Sequence, residues 1–120
     1  MKCVYRIIWG LSLCLQLMSC GQQHDAEQLV EQFIDKYAVA PEQIENRTFQ
    51  HLDSTKLISD SLIGVMQQRR HELFKDDIDY PAQSAYSKLY YLGMYFTYQG
   101  DTLRRTFYID ESLEHIVAFK

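Results

Sequence analysis

SKLYYLGMYFTY, residues 87–98, alternates on a period of two. Tyr90, Leu92, Met94, Phe96 and Tyr98 fall on one side of an extended chain, and Leu89, Tyr91, Gly93, Tyr95 and Thr97 on the other. Successive side chains of a strand point to opposite faces, so this spacing predicts a strand. Gly100-Asp101 is a hairpin signal. After it Leu103, Arg105, Phe107 and Ile109 alternate with Arg104, Thr106 and Tyr108. Asp110 to Ser112 supply another turn, and His115 to Phe119 a last strand. The stretch predicts a three-stranded antiparallel meander.

Upstream the period lengthens. Ala26, Leu29, Val30, Phe33, Ile34 and Tyr37 recur at i, i+3, i+4 and i+7, one apolar stripe of a helix. Asp25 is the expected N-cap, with Gln28 three residues on, and Pro41 ends the run. Leu57, Ile58, Leu62, Val65, Met66 and Leu73 predict a second helix, capped by Asp53 or Ser54 and reaching about Lys75. Gly64 inside it marks a possible kink. Residues 76–87 lack a period and read as a loop. The expected fold class is α+β: one long N-terminal helix and one or two further helices packed on one face of the three-stranded meander.

The first nineteen residues read differently. Lys2 and Arg6 make a short positive region, and residues 7–18, IIWGLSLCLQLM, a mostly apolar one. That run is shorter than the ~20 residues of a membrane-spanning helix and matches a secretory signal. Leu17-Met18-Ser19-Cys20 resembles the lipobox of bacterial lipoproteins, with Met18 less small than usual. The resemblance implies cleavage between Ser19 and Cys20, lipidation of Cys20, and a membrane anchor. The expected divisions are a signal peptide at 1–19, a lipidated tether at 20–25 and a single domain at 26–120. Gly21 to His24, if extended, span at most roughly 13 Å. Gly21 rather than Asp after the cysteine implies, by analogy with proteobacterial sorting, an outer-membrane location.

Cysteine usage agrees with this reading. Cys3 and Cys14 leave with the signal, so Cys20 is the sole cysteine of the mature chain and no internal disulfide can form. Charge narrows the partners. Of 12 Lys and Arg, Lys2 and Arg6 are removed, against 16 Asp and Glu that stay. The mature chain is acidic and lacks a basic run, which argues against nucleic acid.

A helix followed by an antiparallel meander behind a lipobox resembles the small cystatin-like or nuclear-transport-factor-like lipoproteins of Bacteroidetes. The likeness rests on the element order, on Leu52-Asp53-Ser54-Thr55, and on the hairpin leading into Thr106-Phe107-Tyr108-Ile109-Asp110. It implies a fold and a tether, and no catalytic residue.

Motifs that carry chemistry are few. His71-Glu72 begins like a zinc-protease helix, but position 75 is Lys, so HExxH is incomplete. His51 and Asp53 offer two ligands without a marked third. No nucleophile elbow, phosphate loop or dinucleotide motif occurs, so neither cofactor nor metal is expected. Arg69-Arg70 and Arg104-Arg105 are short basic pairs that read first as solvated faces. The tyrosines are the most suggestive feature. Tyr86, Tyr90, Tyr91, Tyr95, Tyr98 and Tyr108 crowd one sheet, and both faces of the 87–98 strand are apolar or aromatic, whereas antiparallel strands usually keep one polar face. Leu89, Tyr91 and Tyr95 therefore form the expected binding face, unless the chain's own loop covers them. The leading expectation is a membrane-tethered, non-catalytic binding module with a protein partner. The alternatives are an inhibitor or immunity-type protein for an exported enzyme, or a small pocket enzyme using Asp53, His51 or Tyr80.

Overall fold

A computed structural model describes residues 21–81 and 86–120. The expectations for the signal peptide, for cleavage at Ser19 and for lipidation of Cys20 lie outside the described residues.

The apolar stripe of the first helix, α1 (21–37), is its buried face: Ala26, Val30, Phe33 and Ile34 are in the core, with Leu29 and Tyr37 packed beside them. The chain is already helical at residue 21. Asp25 is therefore inside the helix and is not its cap, and residues 21–25 are not an extended tether. A 3-10 turn at Pro41–Gln43 follows, then the strands β1 (Glu45–Phe49) and β2 (Asp53–Thr55). The second helix, α2, spans Asp60–Gln68, and β3 (Leu89–Tyr98), β4 (Asp101–Ile109) and β5 (Ile116–Phe119) complete the fold.

The architecture is α+β, with a five-stranded antiparallel sheet where three strands were expected. β1 pairs with the C-terminal half of β3 through Thr48↔Tyr95 and Phe49↔Met94, and β2 with its N-terminal half through Asp53↔Tyr91 and Thr55↔Leu89. The two strands thus share one edge of β3, with β4 and β5 on the other side. Both β1 and β2 are mostly exposed and lack an apolar alternation, which is why their sequence does not announce them.

The expected second helix is shorter and lies elsewhere. Asp53 and Ser54 belong to β2, and the N-cap of α2 is Ser59, whose hydroxyl accepts from the Leu62 N–H at 3.2 Å. After Gln68 the backbone turns extended at Arg69. Residues 73–75 are instead tied to the end of α1: Val39 N–H donates to Leu73 O and Lys75 N–H to Tyr37 O. Those bonds draw Leu73 and Phe74 into the α1 core in place of another helical turn. Gly64 lies within α2, which continues on both sides of it.

The two helices cover opposite faces of the sheet, and not one face as expected. α1 packs with Leu92, Met94, Phe96, Phe107, Ile109 and Phe119. α2 sets Ile63 and Met66 against Leu89, Tyr108, Val117 and Ala118. Burial on both faces requires β5 to place apolar side chains on each, and a register shift opposite Tyr108 and Ile109 does this. A bulge leaves the neighbours Val117 and Ala118 in one cluster while Ile116 and Phe119 join the other. Five rings meet at the centre of the α1 side, where Phe33 lies 5.0–6.0 Å from Tyr37, Phe74, Phe107 and Phe119.

The β3–β4 hairpin closes with Tyr98 paired to Asp101. Its two turn residues are thus Gln99 and Gly100, one position before the expected pair, with φ of 50° and 86°. Positive φ at both positions is the mark of a type I′ turn, which suits the twist of the strands. A glutamine side chain bonds to the backbone at each edge of the sheet and blocks strand addition at that point. Gln67 Nε2 donates to Val117 O at 2.8 Å on β5. Gln23, from α1, donates through Nε2 to Gln50 O at 2.9 Å and accepts from Leu52 N–H at 2.6 Å, bridging the gap between β1 and β2.

Candidate functional site

The expected binding face is divided by α2. Leu89 is buried beneath that helix, and Tyr91 is half-buried against the same cluster. Asp53, opposite Tyr91 in the ladder, raises the pKa of its phenol. Only Tyr95 is open to solvent, with the Arg104 guanidinium 5.8 Å from its ring centre. Arg104 also donates twice to Gln50 Oε1, at 3.1 and 2.8 Å, across the backbone of Gly93. A Cβ on Gly93 would collide with Gln50 Oε1, so the glycine makes room for this cross-strand bridge. The residues 76–81 cover the other face, where Ile78 and Tyr80 pack on the α1 core.

A more developed concavity lies along α1, opposite the turn between β4 and β5. It is an open groove of about 510 Å³. Leu29, Phe33 and Ile116 form its apolar floor, and Lys36, Tyr37, Asp79, Tyr80, Glu114 and His115 bring polar groups to it. α1 positions Lys36 and Tyr37 one turn after Phe33, so the buried anchor sets the place of the polar pair. Tyr37 Oη accepts from the Asp79 N–H at 3.3 Å, and the Lys36 ammonium stands 5.1 Å from the Tyr37 ring centre. Burial, then the neighbouring Tyr37, pushes the Tyr80 phenol up to about 12. At neutral pH Tyr80 is therefore a protonated hydroxyl able to donate.

On the opposite wall the turn after β4 is built around Asp110. Its Oδ1 accepts from the backbone N–H groups of Glu114 and His115 at 2.9 and 3.0 Å. Its Oδ2 lies 2.8 Å from His115 Nδ1. Burial alone would raise the Asp110 pKa. The hydrogen bonds from the His115 side chain, from the His115 and Glu114 backbone and from Ser112 outweigh it and hold the carboxyl below its usual value. An ionised carboxylate only accepts, so His115 carries a proton on Nδ1. The other ring nitrogen, Nε2, is then an acceptor in the neutral ring and a donor in the cation. Leu113 takes a positive φ of 57° to close the turn.

Of the residues named as possible pocket acids or bases, the structure brings only Tyr80 to this groove. His51 and Asp53 are exposed at the far edge of the sheet, in and before β2. His71 and Glu72 lie in the segment after α2 and are not helical. Among the described residues no three His, Cys, Asp or Glu side chains gather as a metal site, and no helix is long and apolar enough to cross a membrane. Sequence reasoning missed Lys36, Glu114 and the Asp110–His115 pair. The available signal was an Asp at the head of a predicted turn with a His five residues on, a spacing that lets the Asp side chain cap the turn. A scan against protein-family models finds no match, and no curated protein or solved structure is significantly similar to this chain.

Proposed function

We propose that the protein is a lipid-anchored binding module of the cell envelope, held at the outer membrane through Cys20 on a cystatin-like scaffold, with the α1 groove as its ligand site. The groove carries the reading: an apolar, aromatic floor with a few polar groups converging at its walls is the usual make-up of a site for a small ligand or a peptide side chain. Groups of both charge signs, Lys36 against Asp79 and Glu114, favour a polar partner over a purely apolar one. With α1 helical from residue 21, a lipid on Cys20 would attach directly at the start of that helix. Gln23 docks the helix onto the sheet three residues after Cys20, so a lipid on that cysteine would hold the domain at the bilayer in a restricted orientation. A cystatin-like assignment agrees with one long helix crossing an antiparallel sheet. The Asp110–His115 pair, whose histidine lines the groove together with Tyr80, favours a second reading, a small pocket enzyme in which His115 moves a proton.

Two experiments test the proposal. Cys20→Ser should abolish acyl labelling and leave the precursor uncut; labelling and cleavage that persist would refute the anchor. A photo-crosslinking side chain placed in intact cells at Gln32, in the groove, should capture the ligand or partner. The same probe at Tyr95 should not. Capture at Tyr95 alone would move the site to the sheet.

A further inference from the structure

His71 Nε2 and Arg105 Nε are buried without a hydrogen-bond partner among the described residues. Leaving such nitrogens unpaired is costly: Arg105 Nε calls for an acceptor, and His71 Nε2 calls for one in the tautomer that carries its proton there. The two residues reach the same region from different parts of the chain. Arg105 lies in β4 on the α1 side of the sheet, opposite Met94. His71 follows α2, and its ring lies over Phe119 with centroids 4.3 Å apart. A pocket of about 220 Å³ opens at His71, separate from the α1 groove although Tyr80 borders both. Arg69, Arg70 and Lys75 line it, with Asp76 the acidic residue among them. Among the described residues none of Arg69, Arg70, Lys75 or Arg105 forms an ion pair. Burial first, then the charges of Arg105 and Arg69, lowers the proton affinity of His71, and one terminal nitrogen of Arg105 already donates to Arg104 O at 2.8 Å.

We propose that this pocket is an oxyanion site that takes the phosphate or sulfate group of a small ligand. His71 and the guanidinium of Arg69, both in its lining, supply donors at its wall, and Arg105, on β4 outside that lining, adds charge. A tetrahedral oxyanion offers several acceptors and up to two negative charges, which suits cations arriving from separate segments. Arginine is the residue that meets such oxygens with a planar fork of donors.

The test uses the full chain in detergent with inorganic phosphate, inorganic sulfate and acetate as probes. Long-range proton–nitrogen NMR spectra follow the His71 ring, assigned with His71→Gln. Phosphate or sulfate should shift the ring signals saturably and raise the pKa of His71, and acetate should bind more weakly. Arg69→Gln, in the pocket lining, should weaken binding by about tenfold, the loss of one charge-assisted bond. Arg105→Gln, outside the lining, should weaken binding less, through the loss of its charge alone. Arg104→Gln removes the same charge on the opposite sheet face and should leave affinity within about twofold, since a solvated charge across the sheet is screened from the pocket. Absence of a saturable His71 response overturns the proposal. So does an equal loss in the Arg104 variant, which would show diffuse attraction only, or acetate binding as tightly as the tetrahedral anions.

Discussion

Gln23→Ala removes a side chain that spans the break between β1 and β2. Gln23 donates to Gln50 O at 2.9 Å and accepts from Leu52 N–H at 2.6 Å, doing for that edge what a neighbouring strand would do. A hydrogen bond contributes about 0.5–1.5 kcal/mol net, and less where water can replace the partner. The bond at Gln50 is exposed and belongs at the low end, while that at Leu52 is part-buried, on a residue 9% exposed, and belongs at the high end. Alanine regains a few tenths of a kcal/mol as the better helix former. The expected loss is about 1.5 kcal/mol. Gln23→Glu separates the two bonds, because a carboxylate still accepts from Leu52 N–H but faces Gln50 O without a proton. It should lie between the wild type and Gln23→Ala. Urea unfolding of the full chain measures this. With a slope of about 1–1.5 kcal/mol per molar for a domain of this size, the midpoint should fall by about 1 M for Gln23→Ala. Amide exchange at Leu52 should quicken in Gln23→Ala and stay close to wild type in Gln23→Glu. Unchanged midpoints with an unchanged Leu52 amide would refute the view that Gln23 closes this edge and docks α1.

Phe33→Ala removes the hub of the five-ring cluster and should cost about 4 kcal/mol, from lost transfer energy and the cavity left behind. That is a large share of the ~5–15 kcal/mol that holds a domain together, and thermal melting by circular dichroism will show it. Asp110→Asn tests the turn that carries His115. The folded pKa of Asp110 is depressed, so its stabilisation is present above the ordinary carboxylate range and fades as pH falls through the folded value. The variant should be less stable at neutral pH and should lose part of the wild type's decline in acid, read as unfolding midpoints across pH; parallel curves would refute the role.

Elements whose burial is periodic are legible from the amino-acid order. The stripe from Ala26 to Tyr37 can bury one side only as a helix, and the alternation from Leu89 to Tyr98 can form only a strand. The hairpin was legible to within one residue, since either side of Gly100 satisfies the local turn chemistry and only the ladder shows that Gln99 takes the positive φ. The remaining features depend on contacts between segments distant in the chain. β1 and β2 exist because β3 has an edge to pair with, and their polar sequences carry no period of their own. Both faces of β3 are apolar, so nothing local says which helix covers which face. The answer comes from Leu73 and Phe74, whose backbone is tied to the end of α1 while Ile63 and Met66 stay on the far side. The groove has the same origin. Lys36, Tyr80 and His115 are far apart in sequence, and they meet because α1 crosses the sheet beside the Asp110 turn.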